Sequence, residues 1–165
     1  MRVRMQPGKG RGQGPRIRGV MFKRVLVLCT GNICRSPMAE AMLRRALQPG
    51  AVQVESAGTA ALVGAPADAI AVQLMAERGV DISAHVARQA TGDMLARADL
   101  ILVMESAHFR WAVDPIPALR GRVFRLTRWN GDTDIRDPYQ QPRGAFEQAL
   151  HEIEAGVAGW LPKFG

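Results

Sequence analysis

Apolar positions along the chain switch between continuous runs, alternation and helical spacing, and the switches outline a set of short elements. Val25-Leu26-Val27-Leu28 and Leu100-Ile101-Leu102-Val103-Met104 are unbroken apolar runs, as strands covered on both faces require. Val52-Gln53-Val54-Glu55, stopped by Ser56-Ala57-Gly58, and Val123-Phe124-Arg125-Leu126 alternate at least in part, as half-exposed strands do. Between these runs the spacing turns helical. Met38, Met42, Leu43, Ala46 and Leu47 form one stripe that Pro49-Gly50 ends, with Ser36 at the expected N-cap. Ile70, Leu74 and Met75 mark a helix over 68–78 that Gly79 caps, and 91–97 and 106–111 are shorter candidates. Asp114-Pro115-Ile116-Pro117 breaks the chain before the fourth strand. After a polar loop over 127–141, Phe146, Leu150, Ile153, Val157 and Trp160 recur at helical spacing, one buried face of a C-terminal helix.

Strands separated by helices pair in parallel through right-handed crossovers, which predicts an α/β fold: a doubly wound sheet with helices on both faces. The two wholly apolar strands, first and third, belong in the middle and the two alternating ones at the edges, giving a four-stranded parallel sheet in the order 2-1-3-4. The first strand's carboxyl end then lies at the switch point, where such sheets bind ligands. The residues there read Cys29-Thr30-Gly31-Asn32-Ile33-Cys34-Arg35-Ser36.

Composition narrows the function. A chain of 165 residues, 47% hydrophobic, suits one domain with a real core, predicted over 21–165. The net charge of +7 invites a nucleic-acid reading, but six of those charges lie in the acid-free segment 1–20, as Arg2, Arg4, Lys9, Arg11, Arg16 and Arg18. That segment has almost nothing to bury and is expected to be a disordered basic tail. Met21 is the expected natural start, with 1–20 upstream sequence read as coding; a nucleic-acid or acidic-surface role for the tail is the alternative. The segment lacks the apolar core of a secretory signal, and no apolar run approaches the ~20 residues of a membrane span, so neither nucleic acid nor membrane insertion is expected of the body. The two cysteines, Cys29 and Cys34, lie together in one loop. A structural disulfide closing so small a loop would constrain little, and two thiols with no second Cys or His pair do not make a zinc site. Reactive thiols in a reducing cytoplasm fit better, and no metal or other cofactor is expected.

The loop after the first strand presents unpaired backbone N–H groups at a helix start, and so attracts an anion. A helix N-terminus and a neighbouring cation also favour the thiolate form of a cysteine, and Cys29 has both in its own sequence. Arg35 offers a planar fork of donors matched to two phosphate oxygens. Gly31 lets the backbone approach the anion, and Asn32 accepts a positive φ while bracing the loop with its side chain. The nucleotide-binding Gly-Lys-Ser/Thr ending and the three-glycine dinucleotide pattern are both missing.

Phosphoryl transfer to Cys29 needs an acid to protonate the leaving oxygen. It must sit on a loop at the strands' carboxyl ends. Asp114 falls at the opposite end of the sheet. Asp132, Asp134 and Asp137 share the loop after the fourth strand, and the residues alone leave the choice among them open. Ser56 and Glu105 also follow strand ends, where loop support and simple capping are equally open. His85 is ambiguous by pattern, whereas His108 and His151 are expected at the surface.

CTGNICRSPMAE, followed much later by DPY, resembles the low-molecular-weight protein tyrosine phosphatase family, from about Met21 to the C-terminus. The resemblance implies Cys29 as nucleophile, Arg35 as phosphate ligand, Asp137 as general acid, and Asn32, Ser36, Ser56 and His85 as supports of a loop running from Thr30 through Ile33 to Ser36. It implies that Cys34 can bridge to Cys29 under oxidation. It also implies a phosphotyrosine protein as substrate. Related protein-arginine phosphatases carry threonine at the position of Ile33, so isoleucine points to tyrosine. Animal members have an aromatic in the loop after the second strand and two tyrosines after the Asp-Pro. Here Ala60-Ala61-Leu62-Val63 and a single Tyr139 stand there, making Leu62 and Tyr139 the expected substrate contacts. The LVG segment and the RWNGDTDIRDPY loop look more like bacterial members paired with tyrosine autokinases of capsule or exopolysaccharide export. Two alternatives share the fold: an arsenate reductase, which would relay oxidation through further cysteines, and a non-catalytic phosphotyrosine-binding module, which would be expected to lack the nucleophile or acid.

Overall fold

The computed structural model describes residues 21–165. The expected disorder of 1–20 lies outside the described residues. In chain order the elements are β1 (Arg24–Cys29), α1 (Arg35–Ala46), β2 (Gln53–Gly58), α2 (Ala69–Glu77), α3 (Gly92–Arg97), β3 (Leu100–Val103), α4 (Ser106–Val113), a 3-10 helix (Pro117–Arg122), β4 (Val123–Arg125), α5 (Arg143–Trp160) and a closing 3-10 helix (Leu161–Phe164). The four strands form one parallel sheet in the order β2-β1-β3-β4. Among the described residues no helix is long and apolar enough to cross a membrane.

The unbroken apolar runs of β1 and β3 serve two cores at once, because successive side chains of a strand point to opposite faces. Val25 and Val27 join Leu100 and Leu102 in a core with Met38 and Leu43 of α1, Leu74 of α2 and the buried face of α5. Leu26 and Leu28 join Ile101 and Val103 in a second core with Met94 and Leu95 of α3, Ala112 and Val113 of α4, and Leu119. Each fully buried aliphatic side chain contributes about 1.5–3 kcal/mol of transfer free energy, so the central strands clamp both layers.

Local signals place the helix ends. Asp68 Oδ1 accepts from the Ile70 N–H at 2.9 Å, Thr91 Oγ1 accepts from the Met94 N–H at 3.3 Å, and Gly79 takes a φ of +75° just past the end of α2. Four expectations are corrected. The helix after the first loop begins at Arg35 with Cys34 as its cap, so Ser36 lies inside the helix and its hydroxyl turns to the loop instead. Ala46 is the last residue of α1 and is exposed, outside the buried stripe. The second strand runs on through Ser56, Ala57 and Gly58, which pair with Val27, Leu28 and Cys29 of β1. The Pro-rich break before the fourth strand contains the 3-10 helix, which lacks the apolar repeat that would reveal it.

Two close approaches aim the loops at the carboxyl end of the sheet. A Cβ on Gly58 would lie 2.4 Å from the Thr30 carbonyl oxygen, so only glycine lets β2 end against the loop that follows β1. A Cβ on Gly156 would lie 2.8 Å from the Leu126 side chain, and Trp160 Nε1 donates to the Leu126 carbonyl at 3.0 Å. The chain leaving β4 is thereby laid on α5 before it turns back toward β1.

Candidate active site

The loop between β1 and α1 turns its carbonyls outward. Cys29 O accepts from the Thr59 N–H at 2.9 Å, Thr30 O from Ala60 at 3.0 Å, Gly31 O from Leu62 at 3.1 Å and Ile33 O from Asp68 at 2.8 Å. Asn32 O accepts from His85 Nε2 at 2.7 Å, and Cys34 O from the Met38 N–H at 3.4 Å. With every acceptor from 29 to 34 engaged outside the loop, the N–H groups of Gly31, Ile33 and Cys34 make no hydrogen bond to another described residue. A ring of donors at a helix N-terminus is what an anion needs.

Cys29, at the end of β1, is buried beneath this ring. Its sulfur lies 2.8 Å from Ser36 Oγ and accepts from the Asn32 N–H at 3.3 Å. Ser36 Oγ also accepts from Asn32 Nδ2 at 2.8 Å, and either Ser36 Oγ or the Cys29 sulfur can be the donor in the bond that joins them. Asn32, with φ 58° and fully buried, spends its whole amide on this support. Nδ2 also donates to Ser56 Oγ at 3.0 Å, and Oδ1 accepts from the Arg88 N–H at 3.0 Å. Arg88 continues outward, donating through Nε to the Ser56 carbonyl at 2.9 Å and pairing with Glu55 at 2.8 Å. Burial, followed by the Asp68 carboxylate, pushes the Cys34 thiol far above its ordinary value, so Cys34 stays protonated at neutral pH.

Arg35 is 1% exposed and holds three loops together. Nη1 donates to the Ile135 carbonyl at 2.6 Å and meets Glu105 Oε2 at 3.0 Å; Nη2 faces Asp137 Oδ2 at 3.5 Å. Its Nε is buried without a partner. A buried unpaired N–H costs about 1–3 kcal/mol, a deficit that an anion oxygen over the loop would remove. Asp137 keeps a side chain 41% exposed, and Oδ1 accepts from the Tyr139 N–H at 3.1 Å. Cys29, Thr30, Gly31, Ile33, Cys34, Arg35, Ala60, Leu62, Asp137 and Tyr139 line one cavity of about 150 Å³.

The three aspartates of the loop after β4 therefore part company. Asp137 lines the cavity. Asp132 pairs with Arg125 and Arg128, and Asp134 accepts from Arg125 Nη1 and the Ser106 N–H, both at 2.9 Å, so these two fasten the loop to β4 and α4. Asp114 caps the far end of α4. Ser56, His85 and Glu105 all reach the loop or Arg35, whereas His151 is exposed. Among the described residues no three His, Cys, Asp or Glu side chains are grouped as metal ligands.

The expectation for His108 is overturned. It is 3% exposed, Nε2 lies 2.9 Å from Thr30 Oγ1, and Nδ1 accepts from the Glu105 N–H at 3.1 Å. Burial, with Arg35 next in effect, pulls its pKa down to about 4, so the ring is neutral. A lone histidine in a short helix carries no sign of this in sequence. Arg88 is a second residue that sequence reasoning missed, although it lies three positions from His85.

Residues 24–164 match the family model described as low molecular weight phosphotyrosine protein phosphatase. The probable low molecular weight protein-tyrosine-phosphatase EpsP of Ralstonia nicotianae is 52% identical over 143 residues, 87% of this chain and 97% of the relative. The crystal structure of Erwinia amylovora tyrosine phosphatase AmsI superposes with a TM-score of 0.83 at 38% identity, covering 90% of this chain and 97% of that one. The YwlE arginine phosphatase of Geobacillus stearothermophilus gives a TM-score of 0.79 at 34% identity, covering 86% and 92%.

Proposed function

Because the chain belongs to the low molecular weight phosphotyrosine protein phosphatase family, the cysteine-dependent protein-tyrosine phosphatases, we propose that it hydrolyses phosphotyrosine through a cysteinyl-phosphate intermediate. The phosphate dianion seats on the loop N–H groups and on the Nε–Nη2 edge of Arg35. Cys29 Sγ attacks phosphorus as the P–O bond to the tyrosine ring breaks, and the Asp137 carboxyl gives its proton to the leaving phenolate oxygen. In the second step water loses a proton to the Asp137 carboxylate and attacks phosphorus. The S–P bond breaks, returning the thiolate and releasing inorganic phosphate.

The observation that carries this reading is the convergence, in one cavity, of a buried cysteine sulfur, an arginine with an unpaired buried Nε, and an aspartate. The non-catalytic alternative is disfavoured by the presence of both Cys29 and Asp137. The arsenate-reductase alternative lacks further cysteines for a relay.

The likeness to an arginine phosphatase makes Ile33 decisive. Its side chain walls the cavity with aliphatic carbon. That suits a phenyl ring, whereas the N–H groups of a phosphoguanidinium would lose water there without gaining partners. Leu62 and Tyr139, both partly exposed at the rim, would flank that ring. The Leu62-Val63-Gly64 segment and the likeness to bacterial EpsP and AmsI support, as substrate, a cytoplasmic tyrosine autokinase of capsule or exopolysaccharide export.

Hydrolysis of a phosphotyrosine peptide by the wild type, Cys29→Ser and Asp137→Asn tests the mechanism. Cys29→Ser abolishes turnover while still binding phosphate, and Asp137→Asn slows a poor leaving group much more than a good one. Full activity in Cys29→Ser removes the covalent step, and equal slowing of both leaving groups removes the acid role.

A further inference from the structure

Both ring nitrogens of His108 are committed, and their commitments join two parts of the site that are far apart in sequence. Nδ1 accepts from the Glu105 N–H, so the ring hydrogen sits on Nε2. From there it is donated to Thr30 Oγ1 at 2.9 Å, one residue beyond the sulfur-bearing Cys29. The residue whose N–H is held, Glu105, is also the carboxylate that meets Arg35 Nη1 at 3.0 Å. One buried imidazole thus touches the nucleophile's neighbour on one side and the phosphate arginine's carboxylate partner on the other.

We propose that His108 is a positioning residue for the phosphatase reaction, acting through Thr30 to hold the start of the anion loop in register with the Glu105–Arg35 pair. The inference rests on the phosphatase reading above. Thr30 takes no part in the chemical steps; its hydroxyl is the handle by which α4 grips the loop. Because the grip is a neutral N–H donor meeting a hydroxyl, a side chain that can both accept from Glu105 and donate to Thr30 should replace the imidazole. An apolar one of similar size should not.

The test is a double-mutant cycle read as kcat/KM on an aryl phosphate and as inhibition by inorganic phosphate. The proteins are the wild type, Thr30→Val, His108→Phe, His108→Gln and the double variants, each with thermal melting recorded. Thr30→Val and His108→Phe are each expected to lower kcat/KM about three- to ten-fold and to weaken phosphate inhibition, with the double variant no worse than the poorer single one. His108→Gln recovers most of the activity when Thr30 is present and gives no advantage over His108→Phe in the Thr30→Val background. Multiplying losses, a Thr30→Val enzyme with unchanged kcat/KM, or a glutamine variant no better than phenylalanine overturns the proposal. Should His108→Phe fail to fold, Thr30→Ser against Thr30→Val decides alone: serine keeps the acceptor and must keep the activity. An inactive wild type would remove the phosphatase reading itself, whereas an active wild type with additive losses removes only this inference.

Discussion

Arg35 Nη1 donates to the carbonyl of Ile135 at 2.6 Å, across 100 residues of sequence, and so ties the anion loop to the backbone two residues before Asp137. The same guanidinium meets Glu105 and faces Asp137, and is 1% exposed. Its planar fork serves as a joint between loops and still leaves Nε without a partner.

Arg35→Lys therefore removes more than a charge. A lysine ammonium is a compact point donor that cannot serve Ile135 O, Glu105 and a phosphate in one plane. The expected result is a loss of about 10²–10³ in kcat/KM, the range for removing a preorganised transition-state donor. Steady-state kinetics and phosphate inhibition measured together check it, and a lysine enzyme within ten-fold of wild type contradicts the account.

Gly58→Ala places a methyl group 2.4 Å from the Thr30 carbonyl and 2.9 Å from the Ala61 Cβ. Neither neighbour is the end of a flexible side chain. The anion loop must shift, with an expected cost of about 1–3 kcal/mol in urea unfolding and a disproportionate fall in kcat. A stable, fully active alanine variant would show that the loop is softer than its packing indicates.

Asn32→Ala strips the donors from Ser36 Oγ and Ser56 Oγ and the acceptor from the Arg88 N–H, and leaves alanine at φ 58°. Two buried hydrogen bonds, a third part-buried one and an unfavourable backbone region together predict a loss of about 2–4 kcal/mol in stability. Circular dichroism through a denaturant series gives the value. Activity should fall even under conditions where the variant is folded, since Ser36 loses the partner that orients it toward Cys29.

His108 makes stability depend on pH. Its folded pKa is pulled down to about 4 from an ordinary 6.5 by burial and by Arg35, against the opposing pull of Glu105, Asp137 and Asp134. Between these values the unfolded chain binds more protons than the folded one, so stability falls as pH drops from 6.5 toward 4. The contribution is complete above 6.5 and reaches on the order of 3 kcal/mol. Urea unfolding of the wild type and His108→Gln at pH 7 and pH 4.5 tests this: the variant should lose less stability between the two, and identical losses would exclude His108 as the source.

The sheet order, the place of the anion loop and the Cys29–Arg35 spacing were legible in the sequence because each rests on a local signal. Continuous apolar runs mark strands covered on both faces, and a loop between strand end and helix start has free N–H groups whatever surrounds it. The rest had no local signal. Asp132, Asp134 and Asp137 are chemically alike and five positions apart at most; the DPY resemblance pointed to Asp137, but the residue chemistry did not, and it is the fold of their loop that turns Asp137 into the cavity and spends the others on Arg125 and Ser106. Ser36 looked like a cap because serine caps helices, yet the helix starts two residues earlier than that cap implies, at Arg35, and leaves that hydroxyl to Cys29. His108 looked like a surface residue because burial of a polar side chain depends on partners, and its partner Thr30 lies 78 residues away. Periodicity reports which face of an element is apolar; which polar groups meet is decided when the elements pack, because a hydrogen bond needs atoms about 3 Å apart and the sequence alone does not say which distant atoms those will be.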